Sequence, residues 1–136
     1  MYIYYINTAD QESPVGHTAL SIASFNGHND TVRALLIRNE DHSGAGAADV
    51  NYESTTGYTP LLQTCISGHA NTARILLNNG ADPNLQNKQS ETALTTAARC
   101  GHADVVMALV RSLVNFLKSF FNFYSFSLFF ASFSNR

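Results

Sequence analysis

The chain has 136 residues, 45% of them apolar and 13% charged, with a net charge of −2. That length holds one domain, and the composition is that of an ordinary globular chain. The weak negative balance argues against nucleic acid as the main partner, because phosphate binding wants a clustered basic face.

Met1–Ile6 is rich in tyrosine and isoleucine. It lacks the basic start and sustained apolar run of a secretory leader, so an intracellular, cytoplasmic protein is expected. From Gly16 the chain reads GHTALSIASFNGH. The phrase returns as GYTPLLQTCISGH from Gly57 and as SETALTTAARCGH from Ser90. Thr18, Thr59 and Thr92 lie 41 and then 33 residues apart, and Gly27-His28, Gly68-His69 and Gly101-His102 keep both spacings. Such self-similarity marks a row of like units, none able to bury its apolar face alone.

Each phrase predicts a first helix, over 18–26, 59–67 and 92–100. The threonine hydroxyl caps its start by accepting a backbone N–H. Pro60 sits in a first turn, where no N–H is needed. The Gly-His glycine ends it in a left-handed conformation. Second helices are expected near 30–38, 71–78 and 104–111, with Asp30 and Asp104 favoured in the first turn by the helix dipole. Their apolar faces follow helical spacing: Val32, Leu35 and Leu36; Ala73, Leu76 and Leu77; Val106, Leu109 and Val110. Gly80 closes the second helix of the middle unit.

Units of about 33 residues with Thr-Pro-Leu near the start and Gly-His midway resemble the ankyrin repeat. The middle unit carries the likeness best, from Gly57 and Thr59-Pro60-Leu61 through Gly68-His69 and Ile75-Leu76-Leu77 to Gly80-Ala81-Asp82-Pro83-Asn84. The likeness covers roughly residues 6–110. It implies an all-α, helix-turn-helix solenoid with short hairpin-like loops. Residues 1–15 are then a remnant of a preceding repeat or a linker, with Ile6-Asn7 like a closing Val-Asn. Repeat one spans 16–51 with an insertion near 40–48, repeat two 52–84, and an incomplete repeat three 85–112. A Phe/Ser-rich tail fills 113–136. The insertion, His42–Ala48, reads as a mobile, exposed bulge. In repeat three Leu113-Val114-Asn115 replace the closing Gly-Ala-Asp, and Ser21, Leu62 and Thr95 stand where the family often has a histidine.

The tail has three readings. Lys118, Asn115, Asn122 and many serines make it a poor membrane span. As a helix, it sets Arg111, Asn115, Lys118, Asn122 and Ser125 on one stripe and lays its phenylalanines against the open end of repeat three. Thirdly, it is an unselected run of the kind a U-rich stretch encodes. The third reading is the expectation for the tail's origin, and the capping helix is the expectation for what it does physically.

His28, His69 and His102 occupy equivalent positions in successive units. Stacked helices sit about 8–10 Å apart and zinc ligands about 2 Å from the ion, so no one metal can take all three. Each ring is expected to bond its local loop instead. Cys65 and Cys100 have no metal or redox spacing and are expected reduced. No G-x-S-x-G turn is present, and SGAGAAD lacks the lysine and strand-helix context of a phosphate loop. No catalytic residue, cofactor, metal or small-molecule substrate is therefore assigned.

The resemblance implies a partner held by the hairpin tips and the exposed face of each first helix. Carried over by position, this selects His17, Phe25 and Asn26 in repeat one. It selects Thr55, Thr56, Tyr58, Ile66 and Ser67 in repeat two, and Lys88, Gln89, Glu91, Arg99 and Cys100 in repeat three. Tyrosine, phenylalanine, isoleucine and arginine are residue types that anchor interfaces. The function expected is a non-catalytic module or scaffold that binds another protein. The alternatives are a membrane-associated protein anchored by the tail, with that contact the less favoured, and the recruiting domain of a larger enzyme.

Overall fold

A computed structural model describes residues 17–37 and 47–133. The remnant expected over 1–15 and residues 42–46 of the insertion lie outside them. Six helices follow in order: α1 Ala19–Phe25, α2 Asn29–Leu36, α3 Pro60–Ser67, α4 Ala70–Asn78, α5 Ala93–Arg99 and α6 Ala103–Phe133. There is no strand among the described residues. The all-α expectation holds, with three helix pairs close to the expected bounds until α6 runs on.

Local chemistry starts each first helix where expected. The Thr18 hydroxyl accepts from the Ser21 N–H at 3.2 Å, and Thr59 from Leu62 at 3.2 Å. Thr92 accepts from Thr95 at 3.4 Å, and the Thr95 hydroxyl accepts in return from the Thr92 N–H at 2.8 Å, closing a reciprocal cap. Pro60 opens α3. α1 packs on α2 and α3, α3 on α4 and α5, and α4 and α5 on α6. The core runs along these contacts through Leu20, Val32, Leu61, Leu62, Ala73, Leu76 and Val105, none more than 1% exposed.

The units are seated on one another by histidine on glycine. At Gly27 (φ 71°) a Cβ would lie 2.6 Å from Nδ1 of His69, and at Gly68 (φ 85°) it would lie 2.6 Å from Nδ1 of His102. Any side chain there would collide with the ring of the next unit. The His102 Nε2 also makes a 3.0 Å hydrogen bond with the Ile66 carbonyl. This corrects the expectation of a local role, because the ring bonds the preceding unit instead of its own loop. Polar side chains add to the seam. Asn51 donates to the Gly80 carbonyl at 3.2 Å and accepts from the Asp82 N–H at 2.8 Å. The Thr72 hydroxyl bonds Asn29 Oδ1 at 2.8 Å.

Three further expectations are corrected. Ala48 is not exposed but buried at 5%, and its N–H donates to the Leu35 carbonyl at 2.9 Å. The end of the insertion is thus tied to the last turn of α2. In repeat three the buried set is Val105, Ala108 and Leu109, whereas Val106 is half-buried and Val110 is 41% exposed. Val110 lies on the side of α6 that faces the end of the stack. Leu94 is 46% exposed for the same reason, although its equivalents Leu20 and Leu61 are buried by the following unit. The tail is helical through Phe133, but its described side chains do not cap the open end. With Leu113-Val114-Asn115 in place of a closing glycine, nothing stops α6, and a straight helix cannot turn back on its own repeat. Its side chains from Leu113 to Phe121 are all exposed. Among the described residues no helix is long and apolar enough to cross a membrane.

Burial at the centre of the stack sets the first prediction. Leu76→Ala should lower unfolding stability by about 2–5 kcal/mol, the cost of emptying a closed core site. Val110→Ala should stay within about 0.5 kcal/mol. Urea melts of both variants measure this, and equal costs would contradict the assignment of inside and outside.

Candidate protein-binding surface

Two tips precede the first helices of repeats two and three. In the former, the Ser54 N–H donates to the Tyr58 carbonyl at 3.1 Å and the Gly57 N–H to the Ser54 carbonyl at 2.8 Å. The Ser54 hydroxyl accepts from the Tyr58 N–H at 3.1 Å and pairs with Thr56 Oγ1 at 2.9 Å. In the latter, Asn87 repeats the frame with Glu91 at 3.1 Å, and its Oδ1 accepts from the N–H groups of Gln89 and Glu91, both at 2.9 Å. Ser90 (φ 61°) holds the left-handed place that Gly57 has in the tip before it. The tips touch: a Cβ on residue 57 would lie 3.0 Å from the Lys88 nitrogen. Thr55, Thr56, Lys88 and Gln89 are therefore exposed side by side on adjoining tips.

Behind the tips, Phe25, Ile66 and Arg99 take the same position in α1, α3 and α5, and Asn26, Ser67 and Cys100 take the next one. Phe25 and Asn26 are exposed, while Ile66, Ser67 and Cys100 are half-buried. Two of the polar side chains already serve their own helix. Asn26 Nδ2 donates to the Ile22 carbonyl at 3.0 Å, and the Ser67 hydroxyl to the Gln63 carbonyl at 3.2 Å.

The strongest electrostatic feature lies within repeat three, beside the seam with repeat two. Arg99 Nε donates to Glu91 Oε1 at 2.7 Å and its second nitrogen to Oε2 at 3.2 Å, a forked pair. Asn87 Nδ2 adds a third donor to Oε2 at 3.0 Å. The Arg99 hydrogen bond first, then that of Asn87, holds the Glu91 carboxyl below its ordinary value of 4.5. Glu91 in turn raises the Arg99 guanidinium, with smaller contributions from Cys100 and Tyr58. Tyr58 takes the place in its tip that Glu91 takes in the next, so the two residues stand on adjoining tips. The Glu91–Arg99 pair is exposed and screened by solvent, so its weight is in orientation more than in stability. It was not foreseen from the sequence, because the partners are eight residues apart and meet only through the Asn87 turn.

In repeat one, His17, Phe25 and Asn26 line a shallow recess of about 170 Å³ with Ser21, Ile22 and Gln63. Ile22, 48% exposed, and Gln63 are additions to the expected set. They lie one helical turn before Phe25 and Ile66 on the same face, a spacing that could have found them. The structure thus gathers the selected residues into two neighbourhoods, the recess and the tip cluster, with Ile66 and Ser67 between them on α3. No group of three His, Cys, Asp or Glu side chains among the described residues could hold a metal ion.

A family model for ankyrin repeats, in three copies, matches residues 2–87 and 23–119. A search of curated proteins finds no match.

Thiol chemistry gives a direct check on the geometry of this face. Cys65 is wholly buried, and burial, with a smaller contribution from Cys100, pushes its thiol up to about 12. A thiol so raised carries almost no thiolate near neutral pH, and thiolate is the reactive form. Cys100 is half-buried at the surface. Ellman's reagent should therefore modify only Cys100 in the native chain and both cysteines after unfolding. Cys100→Ser should leave the native chain silent. Rapid native labelling of Cys65 would contradict the packing of α3.

Proposed function

The chain belongs to the ankyrin-repeat family, and we propose that it is a non-catalytic binding module whose protein partner seats across the tips and first helices of repeats one to three. Repeats of this family are generally protein–protein interaction modules and generally non-catalytic. The observation that carries the proposal is the Glu91–Arg99 fork beside the adjoining tips of repeats two and three. It offers a pre-oriented guanidinium next to a tip whose own residue at the Glu91 position is Tyr58. The fork to Glu91 fixes the Arg99 plane, which lowers the entropy lost when a partner carboxylate or carbonyl meets its remaining N–H groups. Ile66 and the Phe25 recess supply the apolar ground on which partner side chains lose water.

The test begins with binders selected from a displayed protein library on the wild-type chain. Tyr58→Ala combined with Arg99→Ala should weaken most of them tenfold or more, while unfolding stability falls by about 0.5 kcal/mol at the exposed Arg99 and about 1 kcal/mol at the half-buried Tyr58. Binders that ignore this pair and are lost instead on changes in α6 would move the interface to the tail.

A further inference from the structure

α6 has two sides beyond its first turn. Val105, Ala108 and Leu109 face the repeat body and are at most 5% exposed. At about 100° per residue, the opposite side carries Met107, Val110, Val114, Leu117 and Phe121. These five are between 41% and 72% exposed. They follow one another at spacings of three, four, three and four, the a and d positions of a heptad, which is the period of one helix seated on another. In the sequence the same spacing continues through Tyr124, Leu128 and Ala131, all within α6. The exposed stripe runs from residue 107 to 121, and the sequence period carries on to 131, three and a half heptads in all, the length a coiled coil of its own wants.

The stripe starts on the folded body. Met107 and Val110 belong to repeat three and share its outer end with the exposed Leu94. That end is where a following repeat would stack. Whatever covers the stripe must meet both the end of a repeat and a long projecting helix. Among the described residues no other helix of the chain exceeds nine residues. A second copy of the chain supplies a helix of the right length and period and an equally open repeat end.

We propose that α6 packs in parallel against α6 of a second copy, along Met107, Val110, Val114, Leu117 and Phe121. Charge sets the direction. No Asp or Glu follows Asp104, and Arg111 and Lys118 occupy the e positions. Antiparallel pairing would set the e positions of both copies face to face, cation against cation. Parallel pairing sets them against the g positions, Leu113 and Phe120, whose apolar surface the long aliphatic stems can cover.

Sedimentation equilibrium on the full chain tests this. The wild type should weigh a whole multiple, two or more, of the 14.8 kDa chain. Val114→Asp with Leu117→Asp should return it to the single-chain mass. Asn115→Asp with Ser119→Asp, on the polar side, should leave it associated, and both double variants should keep the thermal midpoint of the repeat body. As an independent check that needs no disruptive change, Met107→Cys in a Cys100→Ser background should oxidise to a symmetric cross-linked dimer, because residue 107, at one end of the stripe, meets its own copy only in the parallel register. A wild type that stays at the single-chain mass throughout the micromolar range overturns the proposal. So does association that survives the Val114 and Leu117 changes. Co-sedimentation with phosphatidylserine vesicles by a chain that is monomeric in solution would also overturn it and give the stripe to a lipid surface.

Discussion

Each repeat is held to the next by a ring laid on a residue that has no side chain. Gly27 and Gly68 turn the chain out of the first helix with a positive φ, and both also leave the space that His69 and His102 fill. The two demands coincide on one residue, so neither can be relaxed without the other. Helices of seven to nine residues are marginal alone in water. These persist because each unit buries the apolar face of its neighbour, and the histidine sets the distance at which that burial occurs. At Gly101 the turn is the same, with φ 77°, but no described atom comes within 4 Å of where a Cβ would be. The stack ends there.

The binding surface inherits its geometry from this seating. Fixed spacing between units puts Phe25, Ile66 and Arg99 in a row and brings the Gly57 turn against the Lys88 backbone. Tyr58 and Glu91, 33 residues apart in sequence, then stand at equivalent places on adjoining tips. The open end follows from the same logic. Leu94 is buried in type, being equivalent to the buried Leu20 and Leu61, but exposed in fact, and Val110 lacks even the half-burial of its equivalents Leu36 and Leu77. α6 passes the point where a closing glycine would stop it and carries that unsatisfied side outward as a stripe.

What the sequence disclosed was whatever repeats locally. Thr18, Thr59 and Thr92 cap as expected because capping reaches only three residues ahead. In repeats one and two Val32, Ala73 and Leu76 were legible as core because they recur in phase with a helix, whereas Leu35, Leu36 and Leu77 on the same faces are only half-buried. The buried set of repeat three was not legible, because its outer neighbour is missing and spacing alone does not show which side is covered. His69 and His102 were misread for a related reason. Their partners lie in the preceding repeat, His102 bonding a carbonyl 36 residues back, and no local spacing displays such a contact. The Glu91 and Arg99 fork escaped notice because it depends on Asn87, a turn residue whose amide is spent on tying the tip. Ala48 reads as a flexible residue by composition and is buried only because α2 offers it a carbonyl.

The central claim is that Gly68 is required for the ring above it as well as for its own backbone angle. A double-mutant cycle of Gly68→Ala and His102→Ala, followed by urea unfolding, separates the two. Gly101→Ala, with the same sign of φ and nothing above it, should cost only the backbone strain, about 1–2 kcal/mol. Gly68→Ala should cost clearly more in the wild type and fall toward the Gly101→Ala value when His102 is already alanine, a coupling of about 1–3 kcal/mol. Costs for Gly68→Ala and Gly101→Ala that agree, with the two sites additive within about 0.5 kcal/mol, would show that the ring does not seat the repeats.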